Sequence, residues 1–300
     1  KPTLRIFDGF LFVLFLCVAI FILSFNISEM LYAEDTQQKA KKPVFAGSFY
    51  PAERNQLEKK IDTYLKEANL HAKKISSHIF GIVSPHAGYD YSGQVAAYAY
   101  NQIKDREYKT VIIIGSSHQV PFRGISIYPE GSWETPLGIV QVDNKTAKML
   151  MDNCSAIKVY PTAFAREHSL EVQVPFLQKT LKSFKIVPLV VGSLEKDDHK
   201  RLSDAFLKLL EQNPKDFLFV ASSDMSHYHP YNKATQMDRA TLNDIENLDV
   251  DRLFENLQNG SRELCGASGV ITLMMMASKL NAQVKTLNYA NSGDVTGDKG

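Results

Sequence analysis

The chain has 300 residues, 44% of them hydrophobic, with 34 basic and 33 acidic side chains and a formal net charge of +1. That composition excludes a disordered chain, and a charge so near zero provides no summed field to steer the protein toward nucleic acid. Three cysteines, Cys17, Cys154 and Cys265, are too few and too scattered for a disulfide framework, and no Cys-x-x-Cys pair suggests a structural zinc.

From Gly9 to Phe25 a run of 17 residues carries no charge, with Lys1 and Arg5 before it and Glu34 and Asp35 after it. The run reads either as a cleaved secretory leader or as an uncleaved anchor, because 17 residues is the lower limit of the ~17–25 that span a bilayer. Lys39, Lys41 and Lys42 beyond the run offset the positive-inside signal of Lys1 and Arg5. The expected organisation is a signal peptide or membrane anchor over residues 1–33, a polar linker over 34–42 and one domain over 43–300. An exported or membrane-anchored protein is predicted, with a membrane-tethered protein on the cytoplasmic face as the alternative. Cys17 reads as apolar filler. The start at Lys1 and the turn-like sequence Gly293–Gly300 read as truncated ends.

Beyond the linker, short β-branched runs alternate with amphipathic stretches. In chain order the pattern predicts a strand at Ile79–Ser84, a helix at Gly93–Ile103, strands at Thr110–Gly115 and Ile125–Tyr128, and a hairpin or edge excursion at Trp133–Val142. Helices at Ala147–Asn153 and His168–Leu181 follow, then a strand at Lys185–Val191, a helix at Asp197–Glu211 and a strand at Phe217–Ala221. Helices at Ala234–Leu248, Val250–Leu257 and Ser268–Leu280 and a strand at Val284–Tyr289 complete the chain. Such βαβ alternation predicts an α/β fold, a single three-layer αβα domain with a mostly parallel sheet covered on both faces.

Four peptides carry the chemistry: Ser84-Pro85-His86-Ala87-Gly88-Tyr89, Gly115-Ser116-Ser117-His118-Gln119, Ser222-Ser223-Asp224-Met225-Ser226-His227-Tyr228-His229 and Leu264-Cys265-Gly266-Ala267-Ser268-Gly269. The first three follow predicted strands, and open α/β sheets bind ligands beyond the carboxyl ends of their strands. His86, His118 and His227 should therefore face one crevice. Imidazole and thiolate donors suit iron, copper or zinc rather than magnesium or calcium, and Cys265, before a helix, completes such a set. A structural thiol is the other reading of Cys265, and Cys154 reads as structural outright. Asp224 reads as an orienting group, a proton carrier or a turn cap, and Glu167 and His168 as residues that reach the site or simply open a helix. His229 reads as a fourth donor or an ordinary surface histidine. No nucleophile elbow, phosphate-binding loop or His-Glu-x-x-His motif is present.

With Ala46-Gly47-Ser48-Phe49-Tyr50-Pro51 and Glu167-His168-Ser169-Leu170-Glu171 in the same order, the chain resembles the Memo family, the AmmeMemoRadiSam system protein B of prokaryotes, from about Pro43 onward. The resemblance implies a relative of class III extradiol ring-cleaving dioxygenases and a metal held by His86, His118 and Cys265, with His227 as a further ligand or pocket residue. It implies Fe(II) or copper ahead of zinc. It also implies a radical-SAM protein and an AMMECR-type protein as partners. The expected activity is metal-dependent redox chemistry, with His227, Asp224 and His168 as acid–base candidates and a small molecule or peptide as ligand. A peptide- or anion-binding module and a metal-dependent hydrolase are the alternatives. Cys265 stands where the dioxygenases use a carboxylate, so ring cleavage does not carry over with the fold. No nucleic-acid partner is expected, and membrane contact is expected only through residues 9–25 if they are retained.

Overall fold

In the computed structural model, which describes residues 40–299, the apolar runs pair into an open six-stranded sheet. The strands in chain order are β1 (Gly81–Ser84), β2 (Thr110–Ser116), β3 (Ile125–Ile127), the hairpin β4 (Ser132–Thr135) and β5 (Gly138–Gln141), β6 (Ile157–Lys158), β7 (Lys185–Val191) and β8 (Phe217–Ser222). The large sheet runs β1-β8-β2-β7-β3-β6 and is parallel except where β3 meets β7. The hairpin pairs Trp133 with Val140 and Glu134 with Ile139.

Central strands of a parallel sheet are buried on both faces, so their side chains alternate between two cores. Val111, Ile113, Leu218 and Val220 join one core with α1 (Arg54–His71) and α2 (Tyr89–Ile103), whereas Ile112, Ile114, Phe219 and Ala221 join the other. That second core takes Leu150 from α3 (Asn144–Asn153), while Leu170 of the short α4 (His168–Glu171) and Phe176 of α5 (Gln173–Thr180) lie in the first. Phe206 of α6 (Lys196–Gln212), Ile245 of α7 (Tyr231–Glu246), Leu253 of α8 (Val250–Gln258) and Val270 of α9 (Ala267–Lys279) return to the second. A short α10 (Ser292–Thr296) follows. The result is a mixed α/β fold with a largely parallel sheet.

Four expectations need correction. Helix α1 was not expected, although Leu57, Ile61, Leu65 and Ala68 are buried at helical spacing. The single helix expected over His168–Leu181 is two, because Pro175 has no N–H to donate to Glu171 and the helix restarts at Gln173. Val284–Tyr289 is not a strand; it has β-type residues but no ladder partner among the described residues, and hydrogen bonds such as Thr286 N to Glu246 Oε1 (2.9 Å) hold it instead. Finally, the apolar run 9–25 lies outside the described residues, and among those no helix is long and apolar enough to cross a membrane. The expectation of an exported or membrane-anchored protein is withdrawn.

Candidate metal centre

Parallel pairing brings the ends of β1, β8 and β2 to one edge of the sheet, so His86 and His118, each two residues past its strand, come together. Cys265 reaches them from the turn before α9. That turn closes against the end of β8: Cys265 N donates to Asp224 O (3.2 Å) and Gly266 N to Ser223 Oγ (2.9 Å). A Cβ at Gly266 would lie 2.2 Å from Ser222 O and 2.6 Å from Ser223 Cβ, so only glycine permits this approach. Gly115 answers the same need, since a Cβ there would stand 2.2 Å from Ser169 Oγ.

The two imidazoles are oriented by the groups behind them. His86 is 2% exposed, and its Nδ1 lies 3.0 Å from Ser222 Oγ. Ser222 gives its own hydroxyl proton to Ser169 O (2.6 Å) and also accepts from Gln173 Nε2 (2.7 Å). A hydroxyl has one proton to give, so Nδ1 of His86 must be the donor and Nε2 points forward. His118 Nδ1 donates to Glu167 Oε1 (2.8 Å) and its backbone N to Glu167 Oε2 (2.7 Å), which turns its Nε2 forward as well. This is how proteins orient metal-ligating histidines.

His86 Nε2 stands 3.1 Å from Cys265 Sγ, and donor atoms of His86, His118 and Cys265 all lie within 4.8 Å of one another. Burial works against ionisation of Cys265, but hydrogen bonds from His118 and His86 outweigh it and bring the thiol down to about 6. Backbone N–H of Asp224 adds a further donor to the sulfur at 3.1 Å. The hydrogen bonds to Cys265 and Glu167 push His118 up to about 10 against the effect of burial. Thiolate and imidazolium thus balance each other's charge.

Glu167 is buried, which alone would raise its pKa, yet the donors of His118 and Ser169 N hold it down to about 2. His168 sits against these groups, its ring 4.4 Å from that of His118 and 5.2 Å from that of His86, and Phe45 and Phe49 pack on it. Burial, against the pull of Glu167, brings His168 down to about 4, so it is neutral at ordinary pH. Donor atoms of His118, Glu167 and His168 form a second close group. Its Glu167 Oε1 already accepts from His118 Nδ1 and Ser169 N, which suits an orienting carboxylate better than a ligand.

Asp224 stands on the open side of the site. Its Oδ1 accepts from the backbone N–H groups of His86 (2.6 Å) and Ala87 (3.2 Å), and its Oδ2 lies 3.9 Å from both His86 Nε2 and His227 Nε2. His227 is therefore one carboxylate away from the three donors, and its side chain is 44% exposed. His229 turns away to Glu263 Oε1 (2.7 Å). Gln173 escaped the sequence reading, and Ser222 and Ser223 entered it only as members of the peptide ending at His229, with no role of their own. Glu171 accepts from Phe45 N (2.7 Å) and Tyr50 Oη (2.8 Å) and fixes the aromatic segment over His168.

An α/β sheet that gathers two histidines and a cysteine beyond its strand ends, each imidazole oriented from behind, is the arrangement of a candidate metal site. The chain belongs to the Memo family: the family model described as Memo-like protein matches residues 41–300. It is 36% identical over 259 residues to a MEMO1 family protein of Thermoplasma volcanium, covering 86% of this chain and 93% of that protein. A MEMO1 family protein of Sulfolobus acidocaldarius is 37% identical over 270 residues, with 86% and 94% covered. One of Methanobrevibacter smithii is 36% identical over 267 residues, with 86% and 95% covered. The family match begins after the apolar run, so membership lends the withdrawn export or anchoring no support.

Proposed function

We propose that this protein holds a redox-active transition metal, iron or copper, on His86 Nε2, His118 Nε2 and Cys265 Sγ and uses it on a small organic substrate. The observation that carries this reading is the convergence of three donors from three separate peptides, with both imidazoles oriented from behind. Such an ion would supply a Lewis acid and a one-electron couple to a bound substrate. Sulfur in the donor set favours soft or borderline ions, which separates this site from the histidine–carboxylate centres of ring-cleaving dioxygenases. We read the domain as the same three-layer αβα architecture with a different chemistry.

The residues around the open side divide the remaining work. Asp224 carries the carboxylate nearest the donors and stays anchored by two backbone N–H groups, so it can accept a substrate proton without moving. His227, half in solvent, can pass that proton outward. His168, neutral and walled by Phe45 and Phe49, keeps that side of the site dry and offers one more nitrogen to a substrate.

Elemental analysis of protein purified without added metal tests this reading. One iron or copper ion per chain, lost in Cys265→Ser and His86→Ala, is expected. Zinc or manganese would point to hydrolysis. Full retention of a ligand after metal is stripped would leave a binding module, and either result would overturn the redox reading.

A further inference from the structure

Beside the histidine–cysteine site, Ser268 and His199 stand within hydrogen-bonding distance of each other. His199 is buried in α6, and its Nδ1 donates to the backbone carbonyl of Glu195 at 3.0 Å. A carbonyl only accepts, so the proton is on Nδ1 and the lone pair of Nε2 is free to receive one. Ser268 Oγ lies 3.2 Å from that nitrogen. Burial lowers the pKa of His199 against the pull of the Glu195 carbonyl and of Asp198, which keeps the ring neutral and its Nε2 lone pair unprotonated.

Ser268 lies in the first turn of α9, which has 13 residues. Ala267 N donates to Leu264 O and Val270 N to Gly266 O, but the N–H groups of Ser268 and Gly269 between them have no acceptor among the described residues. Unpaired N–H groups at a helix start favour negative charge. Ser268 also lines a cavity of about 570 Å³, whose wall combines Val120, Phe122 and Val191 with Ser117 and Ser193 and includes Cys265 of the candidate metal centre. A nucleophile with a base, the unpaired N–H of Ser268 at the helix start, and room for a small substrate beside it are parts that acyl transfer requires.

We propose that Ser268 and His199 form a serine–histidine dyad that hydrolyses small carboxylic esters in this cavity, beside Cys265, by a route that needs no metal ion. Ser268 Oγ bonds to the ester carbonyl carbon and its proton passes to His199 Nε2. The bond to the alcohol oxygen then breaks, and the departing alkoxide takes that proton. Water repeats the sequence on the acyl-serine, releasing the acid and restoring both residues. A backbone carbonyl orients His199 where a triad has a carboxylate, so slow turnover is expected.

The test uses the full chain, p-nitrophenyl acetate as substrate and a fluorophosphonate as covalent probe, with and without a metal chelator. The expected result is one phosphonylated residue, Ser268, with labelling and hydrolysis unchanged by chelator. Ser268→Ala should abolish labelling and lower hydrolysis at least tenfold, while circular dichroism shows the fold intact, since alanine suits a helix. Ser268→Cys should keep the nucleophile, seen as iodoacetamide capture at position 268 that falls at least tenfold when His199→Gln is added. Labelling at another residue, equal hydrolysis by the parent and Ser268→Ala, or hydrolysis that disappears with the metal would each overturn the dyad.

Discussion

His86 Nε2 lies 3.1 Å from Cys265 Sγ, although 179 positions separate the two residues. Each stands on its own turn, one beyond β1 and the other beside the end of β8, so the contact depends on the pairing of those strands rather than on local sequence. A soft donor so placed should dominate affinity for a soft ion. Cys265→Ser replaces it with a poor donor of nearly equal volume. Affinity for Cu(I) should fall by an order of magnitude or more, measured by competition with a chelating dye, while the thermal unfolding profile of the metal-free protein stays close to the parent's. Unchanged affinity would show the sulfur to be structural.

Loading a metal should release protons. With Cys265 at about 6 and His118 at about 10, the metal-free site at neutral pH has thiolate beside a protonated imidazole, and His118 must lose its Nε2 proton to bind. Below pH 6 the sulfur is protonated too, so affinity should drop steeply there, and it should rise as pH climbs toward 10. Calorimetry in buffers of different ionisation enthalpy counts the protons. Zero release at neutral pH would contradict the charge arrangement.

How much of this was legible before the fold was known follows from what kind of signal each residue sends. His86 and His118 were readable because parallel strands send their carboxyl ends one way, so a histidine two residues past each strand is placed by topology alone. Glu167 was visible only as a candidate, because nothing in its peptide reveals that it faces His118 from 49 positions away. Gln173 was invisible and Ser222 was seen without its role, since a glutamine and a serine send no specific chemical signal until the backbone of Ser169 and the ring of His86 are beside them. Val284–Tyr289 misled because β-branched residues fit a pleated edge but cannot supply the partner strand.

The cradle at Gly266 should not tolerate a methyl group. A Cβ would stand 2.2 Å from the Ser222 carbonyl oxygen and 2.6 Å from Ser223 Cβ, neither of which is the far end of a flexible side chain. Gly266→Ala should cost about 1–3 kcal/mol of stability in urea unfolding. Because Cys265 is its neighbour, metal affinity should fall as well. Gly138→Ala is a useful contrast: no atom lies within 4 Å of its Cβ position, so its penalty comes from a φ of +123° alone and should leave the metal site untouched.

Glu171 offers a test of the wall over His168. Its carboxylate accepts from Val44 N, Phe45 N and Tyr50 Oη and so ties the segment bearing Phe45 and Phe49 to α4. Hydrogen bonds to a charged acceptor are worth roughly 1.5–3 kcal/mol each, and glutamine keeps the shape but loses the charge. Glu171→Gln should expose the chain near residues 44–50 to limited proteolysis while the remainder resists. If that segment stays as protected as in the parent, aromatic packing alone holds it.

The acid limb of stability should report on Glu167. Burial opposes its charge, but the donors of His118 and Ser169 N prevail and hold it at about 2 against an ordinary value of 4.5. A carboxylate with a depressed native pKa stabilises the fold fully above its unfolded value, and that contribution is lost as pH falls from 4.5 through about 2. The difference corresponds to roughly 3 kcal/mol at neutral pH. Glu167→Gln cannot titrate, so its unfolding free energy should be lower than the parent's near pH 7 and should converge on it in acid. The same substitution leaves one oxygen for His118 Nδ1 but no charge, and puts an N–H donor where a carboxylate oxygen accepts from His118 N, which should weaken metal binding roughly 10–100-fold. If stability converges in acid but affinity is unchanged, Glu167 is an anchor of the turn and His118 is oriented by other contacts. If the two curves stay parallel down to pH 2, the native carboxylate titrates as in the unfolded chain, and the hydrogen bonds from His118 do not hold its charge.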